Sequence, residues 1–490
     1  MRKSGILMHI SSLPSPYGIG SVGKASYEFV DFLARSGQSY WQILPLCPTG
    51  FGDSPYQSFS TFAGNHYLID LDMLIAEGLL TQAEVDSVCW GQDETRVDYG
   101  CLYDHRGNLL RLAFDRFTPD ADFHRYVSDN ADWLEDYALF MTLKWMYRGL
   151  PWQNWPEALM KRDPAVMSSY RQELRDNMQF HYFLQYTFSC QWQALRAYAN
   201  EKGIRIIGDV PIYVPLDSAD VWANLELFQL DEDCHPRMVA GCPPDSFSED
   251  GQLWGNPLYD WEKMKATGYG WWIRRLASAA RMYDVVRLDH FRGFESYWAI
   301  PAGDKTAAGG SWQPGPGMDF IHAIQRALPK LDFIAEDLGY VTPEVRALQE
   351  GSGYPGMKVM QFAFDSREAG NYLPYTYPVN SVCYSGTHDN LTMRQWFDEA
   401  APVDIAMARS YLGLNEEEGL VRGMIRGCMG SASWLCVIQM QDYLELGAAA
   451  RMNFPGTLSH ANWTWRAKPG FLTEELSRRI LETTRRYGRI

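Results

Sequence analysis

Eight short apolar stretches, several of them rich in Val and Ile, recur along the chain with helical periodicity between them, and few folds accommodate that pattern. They run Gly5–Ile10, Tyr40–Leu46, Arg205–Val210, Val285–Asp289, Phe333–Glu336, Lys358–Phe364, Val382–Ser385 and Trp434–Met440. Strands buried on both faces read as brief apolar runs, and helices between them supply the crossovers that keep strands parallel. Between the runs, Phe29, Leu33 and Ser36 fall on a helix that stops at Gly37, and Phe188, Trp192, Leu195 and Ala199 recur at helical spacing before Gly203. Both glycines stand where a helix ends in a left-handed residue. Thr342-Pro343 reads as an N-cap followed by proline at the first helical position. The expected fold class is α/β, a (β/α)8 TIM barrel.

Such a barrel needs about 250 residues, and the chain has 490, so the remainder must be insertion. Residues 1–69 are expected to start the barrel and carry a substrate loop. Residues 70–190 show helix signals without strand runs, among them the capping box Thr81-x-x-Glu84 and the stretch Trp133–Tyr147, and predict a mostly helical insertion. Residues 191–490 complete the barrel. Within them 211–284 and 294–318 are Pro-, Gly- and Trp-rich loops on the C-terminal side of strands, where this architecture builds its sites, and a lid is expected near 243–257. After the eighth run only 50 residues remain, including a helix with Leu476, Ile480 and Leu481. That is too short for a C-terminal β-sandwich domain of about 100 residues.

Charge narrows the function. Lys plus Arg number 44 against 60 Asp plus Glu, a net −16 with no basic run. Such a surface disfavours nucleic acid and anionic membranes as partners. No stretch has the length of a membrane span and the start lacks a secretory apolar segment, so a cytoplasmic location is expected. Nine scattered cysteines, without metal-ligand spacing, read as free thiols in a reducing compartment, and neither metal nor cofactor is expected. Aromatic residues make up 14% of the chain, including 18 Trp. Most must be core, yet flat side chains can also floor a groove for sugar rings.

Three of the runs end in acid: Arg287-Leu288-Asp289-His290, Ala335-Glu336-Asp337-Leu338-Gly339, and Thr387-His388-Asp389-Asn390. A single strand-end Asp is explained as well by helix capping as by chemistry. Three together, 47 and 53 residues apart, converge on one barrel mouth. Retaining glycoside chemistry needs a nucleophilic carboxylate and, about 5–5.5 Å away, a carboxyl that acts first as acid and then as base. Asp289 and Glu336 suit those roles. Arg287, two residues before Asp289 and so on the same face, is expected to hold the Asp289 pKa low, whereas burial beside other carboxylates should raise that of Glu336. Asp389 then grips sugar hydroxyls with His388 as a donor. Asp209 ends the third run and reads equally as a partner of Arg287 or as a sugar contact. The segment Pro243–Pro257, with Trp254 between Gln252 and Asn256, has the make-up of a sugar subsite.

At these residues the sequence resembles the amylomaltases, the 4-α-glucanotransferases of glycoside hydrolase family 77. The resemblance is carried nearly end to end by Ser12-Leu13-Pro14-Ser15-Pro16-Tyr17-Gly18-Ile19-Gly20, Gly52-Asp53-Ser54-Pro55-Tyr56-Gln57-Ser58, Gly208-Asp209-Val210-Pro211-Ile212-Tyr213, Gly251-Gln252-Leu253-Trp254-Gly255-Asn256-Pro257, Arg287-Leu288-Asp289-His290-Phe291-Arg292-Gly293, Glu336-Asp337-Leu338-Gly339 and Thr387-His388-Asp389-Asn390. It implies Asp289 as nucleophile, Glu336 as acid/base and Asp389 as transition-state stabiliser. It further implies sugar contacts from Tyr56, Asp209, Asp245, Gln252, Trp254, Arg287 and His388, an acceptor-side lid near 243–256, and malto-oligosaccharides and α-glucans as partners. Where the family often carries Tyr in Gly-Tyr-Gly-Asp-Ser-Pro, this chain has Phe51, which keeps a stacking face and loses a hydroxyl. The competing readings are an α-glucan hydrolase, a metal site built from Asp289, His290, Glu336, His388 and Asp389, and a non-catalytic glucan-binding barrel. Against the metal site stands strand alternation, which sends the neighbours Asp289 and His290, and His388 and Asp389, to opposite faces.

Overall fold

In the computed structural model, which describes residues 2–244, 249–367 and 372–490, the eight expected runs close into a parallel barrel. Among the described residues there are twelve strands: β1 Lys3–Leu7, β2 Tyr40–Gln42, β3 Arg205–Val210, β4 Met238–Cys242, β5 Gln252–Pro257, β6 Val285–Leu288, β7 Ser296–Pro301, β8 Ser311–Pro314, β9 Asp332–Ala335, β10 Gly356–Val359, β11 Ser381–Tyr384 and β12 Leu435–Gln439. The barrel order is β1-β12-β11-β10-β9-β6-β3-β2, and every pairing in it is parallel. Strand alternation divides the side chains into two layers. Ile207, Val285, Ile334, Val382 and Val437 pack together inside the barrel, while Ile206, Val286, Phe333, Cys383 and Ile438 pack outward against the helices.

Helix signals in the sequence hold in place. The helix Lys24–Arg35 is followed by Gly37 at φ +69°, and the 27-residue helix Arg175–Glu201 by Gly203 at φ +77°. Thr342 accepts from the Val345 N–H above Pro343, and the Thr81–Glu84 capping box is reciprocal. Six helices of five or more residues lie between β2 and the helix Arg175–Glu201, which crosses residue 190 and returns the chain to β3. After β12 no β-sheet follows among the described residues; the helix Glu474–Arg486 packs Leu476 and Ile480 onto the barrel exterior.

Two expectations need correction. The regions 211–284 and 294–318 are not loops throughout: β5, β4, β7 and β8 form an antiparallel four-stranded sheet, and Gly270–Met282 is a helix burying Trp271, Trp272 and Leu276. Several runs also end sooner than their apolar residues do, because β1 stops at Leu7, β2 at Gln42 and β10 at Val359, where a 3-10 turn takes over. Apolar content persists past the last ladder hydrogen bond since the barrel mouth is itself buried.

Candidate active site

Register on two neighbouring strands creates the floor of the site. Asp209 on β3 pairs with Arg287 on β6, and both follow interior positions, Ile207 and Val285. One guanidinium nitrogen of Arg287 donates to Asp209 Oδ2 at 2.7 Å and to Asp289 Oδ1 at 2.9 Å. The Asp209 side chain is 0% exposed and that of Arg287 4%, while Asp289, one residue beyond β6, is 27% exposed. Asp209 therefore lies beneath the mouth as an ion-pair partner, also accepting from the Tyr56 hydroxyl at 2.7 Å. Of the two readings open for Asp209 in the sequence, the pairing with Arg287 is the one the geometry contains.

Glu336 follows β9 and is docked by the backbone of the strand ends beside it. Its Oε2 accepts from the His290 N–H and its Oε1 from the Leu338 N–H, both at 2.8 Å. The His290 N–H is available because His290 adopts a left-handed backbone, φ +49°, immediately after Asp289. Strand alternation ends at Leu288, so Asp289 and His290 both line the groove and do not diverge as expected. The same holds for His388 and Asp389, whose Nε2 and Oδ2 lie 3.3 Å apart. Among the described residues no three His, Cys, Asp or Glu side chains are arranged to hold a metal ion.

Electrostatics depart from expectation at Asp289. Arg287 does pull its carboxyl down, but burial outweighs that attraction and, with Asp209, Glu336 and Asp389 nearby, pushes it up to about 8. A single cation shared between two carboxylates cannot neutralise both. Burial also raises Glu336, opposed by Arg287 and by the two backbone N–H donors. Two interacting acids that are both raised give up their protons as a pair. His388 is lowered by burial, with Asp389 acting against the shift, and so is a neutral donor.

Asp389 is the most open of the three acids at 42% exposure. Asn453 Nδ2 donates to its Oδ1 at 2.6 Å, and Arg451 donates to its carbonyl oxygen at 3.0 Å. The Tyr56 ring stacks on His388, with centroids 5.1 Å apart, and Trp463 packs against both. Sequence reasoning passed over Asn453, Arg451 and Trp463. Their visible signal is the Pro455-Gly456 turn and the uncommon Trp463 backbone, φ +65°, which no pattern announces.

Around these groups runs one groove of about 1570 Å³, lined by Tyr56, Gln252, Trp254, Arg287, Asp289, Glu336, His388 and Asp389, among others. That exceeds the roughly 300–1,000 Å³ of a typical small-molecule pocket and suits an extended chain. Trp254 on β5 stands edge-on to His290 at 4.8 Å and donates to Gln252 Oε1 at 3.1 Å. Exposed Phe51 lies at the groove margin. Asp245, and with it part of the expected lid, lies outside the described residues.

Paired carboxyls at the C-terminal mouth of a parallel barrel, in a long groove with aromatic walls, define an enzyme of the glycoside-processing class. The family model described as 4-alpha-glucanotransferase, glycoside hydrolase family 77, matches residues 8–473. The chain belongs to that family, whose members transfer glucan segments. It is 49% identical to a 4-alpha-glucanotransferase of Streptococcus pneumoniae over 100% of this chain and 98% of the relative, and 46% identical to one of Clostridium butyricum over 98% and 100%. The solved amylomaltase of Streptococcus agalactiae in complex with acarbose superposes with a TM-score of 0.96, at 42% identity and 100% coverage of both chains. No helix among the described residues is long and apolar enough to cross a membrane.

Proposed function

We propose that this 4-alpha-glucanotransferase moves α-1,4-glucan segments between malto-oligosaccharides or starch and a glucan or glucose acceptor, by a retaining double displacement centred on Asp289, Glu336 and Asp389. Asp289 attacks the anomeric carbon while Glu336 gives its proton to the departing 4-oxygen. The glycosyl-enzyme ester is then opened by the 4-hydroxyl of an acceptor glucan, whose proton returns to Glu336. The observation carrying this reading is the buried Arg287 that donates to Asp289 at 2.9 Å, beside a Glu336 carboxyl docked by the His290 and Leu338 N–H groups. The first step requires that the proton of the pair sit on Glu336 and that Asp289 be ionised. Asp389, held by Asn453 and next to neutral His388, suits a grip on sugar hydroxyls as the ring flattens.

Transfer outruns hydrolysis when an acceptor, and not water, occupies the space beside Glu336. Trp254, packed on His290 whose N–H holds Glu336, is our candidate for the wall that favours sugar there, with Gln252 and Asp245 as further contacts. Nine free cysteines suit the reducing cytoplasm in which we place the enzyme. Purified protein given maltotriose should produce longer oligomers together with shorter ones. Release of reducing ends alone would replace transferase with hydrolase, and binding without turnover would leave a glucan-binding barrel.

A further inference from the structure

We propose that Asp442 is a positioning residue of the transfer reaction, acting through the loop that carries His388 and Asp389. The proposal rests on Asp389 taking part in the chemistry.

Asp442 stands three residues beyond the end of β12, in the turn Met440–Tyr443, and is 0% exposed. Its two carboxylate oxygens hold two different places on one loop. Oδ2 accepts from the Ser385 hydroxyl at 2.6 Å, and Oδ1 accepts from the Met393 N–H at 2.6 Å. Ser385 is the first residue after β11, and Met393 opens the helix Met393–Glu399. Between those two feet the chain rises to the mouth and presents His388 and Asp389. One side chain therefore fixes both the departure and the return of the loop.

Two glutamines complete the cradle. Gln361 donates to the Leu391 carbonyl at 2.7 Å, and Gln439 donates to it at 3.3 Å while its own N–H meets the Ser385 hydroxyl. A Cβ on Gly386 would stand 2.5 Å from Gln439 Nε2 and 2.7 Å from Gln361 Nε2, so the loop backbone lies directly on these amides. From above, Asn453 and Arg451 grip Asp389. Asp389 is thus held at its tip by Asn453, and the loop that carries it is held at both feet by Asp442.

Packing alone does not explain the choice of residue. Among the described residues no cation contacts Asp442, and burial pushes its carboxyl up to about 6 against the hydrogen bonds from Met393 and Ser385. A buried carboxylate held by hydrogen bonds without an ion pair is a destabilising choice for a strand end. It is the choice that gives one rigid two-pronged acceptor, which an amide, with one donor and one acceptor end, cannot copy.

The test uses the full chain and maltotriose disproportionation, with Asp442→Asn, Ser385→Ala, Asp389→Asn and the Asp389→Asn/Asp442→Asn double variant. Misplacing a catalytic group by about 1 Å can cost about 100-fold in rate. Asp442→Asn is expected to lower kcat at least about tenfold while KM stays within about twofold, and Ser385→Ala to lower kcat in the same sense. The double variant is expected to be far less impaired than the product of the two single losses, since most of what Asp442 positions is already gone in Asp389→Asn. Wild-type kcat in folded Asp442→Asn, or losses that multiply in the double variant, would overturn the proposal, even if the melting temperature falls. Should Asp442→Asn fail to fold, Ser385→Ala decides by the same measure. If Asp389→Asn itself keeps wild-type transfer, the fault lies in the assigned chemistry; if Asp389→Asn is impaired while Asp442→Asn is not, only the positioning role fails.

Discussion

Replacing Arg287 with Met removes the cation that pairs with Asp209 and Asp289 beneath the site and leaves buried charge unpaired. Arg287 contacts Asp209 at 2.7 Å and Asp289 at 2.9 Å, and the Asp209 side chain is fully buried. Breaking a buried pair from one side costs about 3–5 kcal/mol. Arg287→Met should therefore lose about that much stability at pH 7, and Asp209→Asn added to it should restore most of the deficit, because the amide is neutral and leaves no unpaired charge beneath the site. Activity should not return with stability. Asp289 would lose the contact that orients it and draws its pKa down, so kcat/KM should fall at least about 100-fold in both variants. Urea unfolding and maltotriose kinetics, both at pH 7, supply the readouts. A deficit below about 1 kcal/mol, or no recovery from Asp209→Asn, would refute the assignment of Arg287 as a shared buried counter-ion.

Burial raises Asp289 and Glu336 in the folded chain, so the folded state binds more protons than the unfolded one, and their contribution to stability falls as pH climbs from about 4 to about 8. Asp289→Asn and Glu336→Gln should therefore melt higher than the parent at pH 8, by about 2 °C or more, and show little gain at pH 4, while transfer is lost; a lower melting temperature at pH 8 would contradict the sign. Trp254→Ala should let water compete beside Glu336, lowering the ratio of transfer to hydrolysis about tenfold as read from longer oligomers against total reducing ends. Equal loss of both products would assign Trp254 to general substrate binding.

The sequence carries the barrel plainly because parallel strands buried on both faces leave uninterrupted apolar runs, and all eight reappear as barrel strands. It carries the four-stranded sheet poorly. β4, β5, β7 and β8 contain Gly, Pro, Trp and Ser, lack clean alternation, and pair across gaps of up to about 60 residues, so only tertiary contact makes them strands. The helix Gly270–Met282 hides behind Tyr269, a left-handed residue without a capping side chain. The three acids were legible because each follows a strand. Asn453, Arg451 and Trp463 were not, since their roles arise from contacts 60 or more residues distant along the chain. Spacing placed Arg287 correctly beside Asp289, but the balance of burial against attraction depends on depth, which no sequence pattern encodes.

Trapping the glycosyl-enzyme tests the proposed chemistry most directly. In Glu336→Gln, a donor with fluoride as leaving group, such as maltosyl fluoride, needs no acid for the first step and finds no base for the second, so the intermediate should accumulate. Mass spectrometry of the digested protein should find the maltosyl ester on Asp289. An ester on Asp389 or Asp209, or no covalent adduct while the fluoride is consumed, would contradict the double displacement proposed for this chain.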